Sequence, residues 1–295
     1  MAVSAKIVES MKNSSWIRKM FEAGAELAAK YGAENVFDFT LGNPNIEPPE
    51  EFEKILIDYI KSPIKGKYGY MANAGYPDVR QKVADYVGSI EGVKLSAKNV
   101  IMTCGAAGGM NSILKTILNP GDNVVVSAPF FAEYTAYVGN HGGKLIPVPC
   151  KDDLDINLEA LGNAINKNTV AMIINSPNNP SGRIYPQATI NKLADLLRKK
   201  SVEYSHAIYL ISDEPYKKIV FNGIKVPGTF AAYENSIIST SFSKDLSIPG
   251  QRIGYTVVSP KAEDVALLID GIVLCTRVLG YVNAPAVMQK VTGEM

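Results

Sequence analysis

Histidine is nearly missing from this chain: His141 and His206 are the two present among 295 residues. A histidine-centred triad or a multi-histidine metal site has little to be built from. Cysteine is scarce too. Cys104, Cys150 and Cys275 are odd in number and lack metal-type spacing, so they read as reduced thiols of a cytosolic protein. Neither sign of charge is in excess, with 30 Lys and Arg against 29 Asp and Glu and a net charge of +1. That balance gives no footing for nucleic-acid binding or for adsorption to an anionic membrane. Apolar runs such as 171–174 and 266–269 fall far below the ~18 residues that a membrane-spanning helix requires. The first residues lack the charged, apolar, small-residue succession of a secretion signal. What remains is a soluble globular composition, 46% hydrophobic and 20% charged. Its length suits one large α/β domain with additions, or two domains.

Short apolar, β-branched segments alternate with longer helical patterns, and no internal repeat is visible. The strands expected are 100–103, 123–127, 144–148, 170–174, 208–212, 236–240 and 252–258; helices are expected over 107–118, 132–140, 157–165, 187–199 and 261–272. This alternation predicts an α/β fold with a mostly parallel sheet covered by helices on both faces. Residues 5–31 have helical character, 37–42 form a short extended piece, and Pro48-Pro49-Glu50-Glu51 opens another helix. Residues 1–45 read as an arm and small-domain segment, and 46–295 as the large domain.

In such sheets ligands sit beyond the strand C-termini, and Thr103-Cys104-Gly105, Asn179, Asp213 and Ser241-Phe242-Ser243-Lys244 all follow predicted strands. Ser241-Phe242-Ser243-Lys244 sets an amine among small hydroxyls, and Arg252 stands eight positions beyond it. An amine condenses with an aldehyde while hydroxyls and a guanidinium hold a phosphate dianion; the same string also suits a capped helix N-terminus. Gly105-Ala106-Ala107-Gly108-Gly109 turns from a strand into a helix, offering free amides and the helix dipole to an anion. Asp213 ends an apolar run, either as a buried anchor charged at neutral pH or as a loop acid. Ser176-Pro177-Asn178-Asn179-Pro180-Ser181-Gly182 spells a turn on its own terms. Leu41-Gly42-Asn43-Pro44 does so as well. Phe131 and Tyr70 are aromatics that a core or an interface would explain equally.

Taken in order, these segments resemble the class I and II pyridoxal-phosphate-dependent aminotransferases of fold type I, with the likeness running from Ile17 to about Gln289. The resemblance implies pyridoxal 5'-phosphate on Lys244 as a Schiff base, with Asp213 at the pyridine nitrogen and Asn179 and Tyr216 at the phenolic oxygen. Phe131 would stack on the ring. Gly105, Ala106, Ala107, Ser241, Ser243 and Arg252 would surround the phosphate, joined by Tyr70 from a neighbouring subunit of a homodimer. Gly42 and Asn179 would hold the substrate carboxylate. The reaction implied is ping-pong amino-group transfer between an L-amino acid and a 2-keto acid, with Lys244 moving the proton and no metal involved. A lyase or decarboxylase of the same fold shares all these cofactor features, and a non-catalytic cofactor-binding protein shares most of them.

Relatives continue past Gln289, so the expectation is a chain shortened at its C-terminus, without most of the small domain and without the arginine that binds the substrate carboxylate in the family. Arg277 falls in the wrong region for that role. Such a chain is expected to bind cofactor and transaminate poorly. Ile248, Pro249 and Gln251 also depart from the aromatic-rich version of the lysine segment, which leaves the amino acid handled open.

Overall fold

The computed structural model describes residues 2–37 and 42–295, with the side chains of 6, 10 and 12–21 outside that description. The extended piece expected at 37–42 falls almost wholly on the residues not described. The chain divides into two compact units, Met1–Asn45 and Ile46–Met295. In the first, helix α1 (Ala5–Tyr31) begins at Ser4, whose hydroxyl accepts from the Ile7 amide, and ends at Gly32, where φ is 88°.

The second unit opens with α2 (Glu50–Lys61), which has three acids in its first turn. Helix α3 (Pro77–Glu91) follows, with proline at its start and Gly92 left-handed at its end. Strand β1 (Val100–Thr103) and helix α4 (Gly105–Ile117) come next, then β2 (Asn123–Ala128), α5 (Glu133–Asn140), β3 (Lys144–Pro149), α6 (Leu158–Ala164) and β4 (Thr169–Asn175). The remainder is α7 (Gln187–Tyr204), β5 (Tyr209–Asp213), β6 (Ser236–Ser241), β7 (Gly254–Val258), α8 (Val265–Val278) and α9 (Ala286–Thr292). Every expected strand is present within two residues of its expected ends. Helix α7 runs on to Tyr204, and α8 begins later and ends later than expected, because residues 259–264 form turns with Asp264 at φ 50°.

The seven strands form one sheet in the order β1-β7-β6-β5-β4-β2-β3. All are parallel except β7, which pairs antiparallel with both β1 and β6. Side chains alternate between the two faces, as strand geometry requires. Ile101, Val124, Val126, Ile173, Ile211 and Ile237 meet α4, α5 and α8 on one face. On the other, Val100, Met102, Ile238 and Val257 meet α2, α3 and α9, while Val125, Met172, Ile174 and Leu210 meet α6 and α7. Strands β1, β2 and β4 are mostly apolar along their length, and polar residues such as Thr103, Ser127 and Asn175 come at or near their C-terminal ends.

The reversed strand matters for function. Thr103 of β1 and Ser241 of β6 both register with Gly254 at the start of β7. Residues entering β7 therefore share an edge with residues leaving β1 and β6. Only glycine fits at 254: a Cβ there would lie 2.3 Å from the Thr240 carbonyl oxygen and 3.0 Å from the Gly105 carbonyl carbon.

Candidate functional site

At this edge lies a cavity of about 280 Å³, and Lys244, Asp213, Asn179, Tyr216, Phe131 and Arg252 all line it. Ala106, Ala107, Ser241 and Ser243 line it as well, with Met110, Tyr137, Asn175, Pro215 and Pro249. The sheet thus gathers residues up to 146 positions apart in sequence, the interval from Ala106 to Arg252.

One end is made of backbone and small polar groups. Gly105 takes φ 67° to turn the chain from β1 into α4, and the first amides of α4 have no partner within the helix. A Cβ on Gly105 would stand 2.9 Å from Nη2 of Arg252, so its absence lets the guanidinium approach the turn. Arg252 is itself left-handed, at φ 51° and ψ 47°, a conformation that costs a non-glycine residue on the order of 1 kcal/mol. Its Nη1 donates to the Pro249 carbonyl at 2.9 Å. The buried Ser241 accepts from the Ser243 amide at 3.4 Å. The Ser239 hydroxyl donates to the Ala106 carbonyl at 3.3 Å, tying β6 to the start of α4.

The other end is a buried carboxylate. Asp213 is the last residue of β5 and 6% exposed. Its Oδ2 accepts from the Tyr134 hydroxyl at 2.6 Å, while Oδ1 is buried with no partner among the described residues. Burial pushes its pKa up to about 7; the Tyr134 hydrogen bond lowers it and the neighbouring Glu214 charge raises it. Burial thus works against the charge expected there at neutral pH, and the Tyr134 hydrogen bond works for it. Within this cavity the ion is costly, and it lacks the cationic donor that would hold it.

Between these ends sit the lysine and the loop after β4. Burial, and then the Arg252 charge, lower the Lys244 pKa. Nδ2 of Asn179 donates to the Tyr216 hydroxyl at 3.4 Å. Its neighbour Asn178 builds the turn instead, accepting from the Ser181 amide at 3.1 Å and hydroxyl at 2.8 Å. The peptide bonds before Pro177 and Pro180 are cis. Phe131 meets Tyr134 edge-on, with ring centroids 5.5 Å apart.

Two side chains beyond the sequence reading shape this end. Tyr134 holds Asp213, and Asn175 donates to the Asp213 carbonyl at 2.8 Å while accepting from the Asn179 amide at 2.5 Å. A polar residue closing the apolar run of β4, and a tyrosine one turn after Phe131, were the available signals. Of the other expected residues, Gly105 forms the turn next to Ala106 and does not itself line the cavity. Tyr70 is 91% exposed and lines a separate cavity with Arg277 and Asn283. Gly42 belongs to the first unit. Among the described residues no cluster of His, Cys, Asp and Glu could hold a metal, and no helix is long and apolar enough to cross a membrane.

Residues 34–291 match the family model described as aminotransferase class I and II. A probable aspartate/prephenate aminotransferase of Thermus aquaticus is 31% identical over 86% of this chain and 64% of its own length. An aspartate aminotransferase of Pyrococcus horikoshii is 29% identical over 82% of this chain and 59% of its own. The chain thus spans about three fifths of the length of these curated relatives. Among solved structures, an amino transferase from Eubacterium rectale superposes with a TM-score of 0.95 at 38% identity, over 99% of this chain and 74% of that one. Thermus thermophilus aspartate aminotransferase with maleate gives 0.83 at 25% identity, over 100% of this chain and 72% of that one.

Proposed function

The chain belongs to the class I and II aminotransferases, and from that premise we propose that its cavity holds pyridoxal 5'-phosphate on Lys244 and serves amino-group transfer between an L-amino acid and a 2-keto acid. The observation that carries this reading is the pairing of unlike groups in one cavity. A lysine with a lowered pKa shares the space with a buried carboxylate whose Oδ1 lacks a donor. A flat heteroaromatic aldehyde bearing a basic nitrogen and a phosphate supplies what each group needs. The Oδ1 acceptor suits a ring N–H⁺, and the amides of Ala106 and Ala107, the hydroxyls of Ser241 and Ser243 and the Arg252 guanidinium suit a dianion.

Bound there, the cofactor would lend an aldehyde for covalent capture of amines and a ring that withdraws electrons from the substrate α-carbon. The chain's own groups do the remaining work. A lysine of lowered pKa is more often the neutral nucleophile at neutral pH. Lys244 Nζ would be the group that holds and moves the substrate α-proton, as base and then acid. Asp213 would hold the ring nitrogen through Oδ1 as a carboxylate, with Tyr134 on its other oxygen. Asn179 and the Tyr216 hydroxyl would donate to the phenolic oxygen, and Phe131 would cover a ring face. Gly42 and Asn179 are the groups we assign to the substrate carboxylate.

The assembly and setting follow the same reading. Residues 1–45 serve as arm and small-domain segment, and 46–295 as the large domain. Tyr70, exposed here, reaches the phosphate of a second copy in a homodimer. The thiols of Cys104, Cys150 and Cys275, unpaired with one another, suit a cytoplasmic enzyme. The reaction class is tested by adding L-aspartate, then other amino acids, to cofactor-loaded protein and separating the cofactor products. Pyridoxamine phosphate and a stoichiometric keto acid are the expected result. Carbon dioxide or an eliminated side chain, with the aldehyde form retained, would overturn transfer in favour of lyase or decarboxylase chemistry.

A further inference from the structure

The lysine is carried by a turn that is fastened from outside the cavity. After β6, the Phe242 amide donates to the Ile253 carbonyl at 3.1 Å and the Leu246 amide to the Phe242 carbonyl at 3.3 Å. After β5, the chain turns again through Pro215, Tyr216, Lys217 and Lys218, with the Ile219 amide on the Tyr216 carbonyl at 2.8 Å. Both turns face the cavity, one through Lys244 and the other through Tyr216. On their outer sides they are joined by an ion pair, Lys218 Nζ to Asp245 Oδ2 at 3.0 Å.

That pair is unequal. The Asp245 side chain is 11% exposed and the Lys218 side chain 47% exposed. Oδ1 of Asp245 is buried without a hydrogen-bond partner among the described residues. Lys218 also lies over the Tyr86 ring of α3, 4.8 Å from its centroid. Its neighbour Lys217 bonds Glu91 of α3 at 2.6 Å and Glu214 at 2.8 Å. The Glu91 carboxylate in turn accepts from the amides of Thr229 and Phe230. The first turn is thus anchored to α3 through both lysines, while the lysine-bearing turn reaches that anchor through Asp245. Neither Lys218 nor Asp245 lines the cavity that holds Lys244; both line a separate one of about 430 Å³ behind the turn.

We propose that Asp245 and Lys218 are positioning residues, a tie between the two turns that fixes the Lys244 amine relative to Tyr216 and the strand end bearing Asp213. A surface-accessible ion pair adds little to global stability. Cutting it nevertheless leaves a mostly buried carboxylate with no cation, which the lysine-bearing turn relieves by moving. Its effect is therefore local, on where the amine sits rather than on whether the chain folds. The proposal rests on the assignment of Lys244 as the cofactor lysine.

The test is a double-mutant cycle of Lys218→Met, Asp245→Asn and the double variant, with Lys218→Arg as rescue. In cofactor-free protein, hydrogen exchange of the 242–246 amides should accelerate about tenfold in either single variant, with the melting temperature nearly unchanged. The double variant should be no faster than the worse single one, because one interaction is lost in all three. In loaded protein, the pH midpoint of the visible band of the lysine-bound cofactor should shift in both singles and return in Lys218→Arg. Additive effects, or unchanged exchange and midpoint in Lys218→Met, would overturn the tie. Wild-type protein that shows no visible band would instead overturn the cofactor assignment, and the exchange measurement would still judge the tie.

Discussion

The two ends of the cavity are built from opposite materials. The Arg252 end relies on geometry: a glycine at φ 67°, a left-handed arginine, helix amides and two buried serines. Nothing there has to change protonation to receive an anion. The Asp213 end relies on energy instead. A carboxylate shut away from water, with one oxygen held by Tyr134 and the other without a donor among the described residues, has its pKa raised by burial to about 7, and a cation beside it would favour the ionised form. One end is preorganised and the other is poised. A ligand that satisfies both carries an anionic group at one side and a cationic donor at the other.

Substitutions that break each end in turn should rank as follows. Lys244→Ala, which removes the group shared by both ends, should lower the transfer rate by about 10²–10⁴-fold, the range for losing a positioned acid–base group; single-turnover kinetics with a pre-loaded amino acid would check it. Asp213→Asn should cost about 10²–10³-fold, as expected when a buried ion pair loses its charge. The same change has a protein-only signature. In the cofactor-free chain burial raises the Asp213 pKa to about 7, whereas in the unfolded chain the carboxyl loses its proton near its ordinary value of 3.8. The folded state therefore binds more protons across that window, and folding stability falls as pH rises through it. Asp213→Asn should flatten that decline, as urea unfolding at a series of pH values would show.

Arg252→Gly, which keeps the left-handed backbone accessible, should weaken binding of inorganic phosphate or of the cofactor about tenfold, the worth of one charge-assisted contact. It should also raise the Lys244 pKa, since the Arg252 charge lowers it in the native chain. Calorimetric titration and pH-dependent acetylation of Lys244 read the two effects. The smallest change is Tyr134→Phe. The hydroxyl lowers the Asp213 pKa, so its loss should raise that pKa further and reduce cofactor affinity a few-fold above pH 7.

The contrast between the ends also explains how much was legible in the sequence. Strand ends show because apolar runs stop there, so Asp213, Asn179 and Ser241 stand out, and the glycine turn at 105 announces itself by composition. Gly254 does not. Its necessity comes from the Thr240 carbonyl and the Gly105 backbone, which adjoin it only after β7 inserts between β1 and β6. Tyr134 and Asn175 were hidden for a related reason, because their meaning is the partner each meets across the sheet. Helix α3 carries Val79, Val83, Ala84 and Val87 on its buried face, a helical pattern within reach of sequence reading. The reversal of β7, which brings Arg252 to the same edge as Lys244, is a pairing fact that short apolar strands do not encode locally.

Borohydride reduction of the purified protein after incubation with pyridoxal 5'-phosphate, followed by peptide mapping, tests the central claim most directly. The account predicts one pyridoxyl group per chain, on Lys244, lost in Lys244→Ala and diminished in Asp213→Asn. A pyridoxyl group spread over other lysines, or absent altogether, would contradict it.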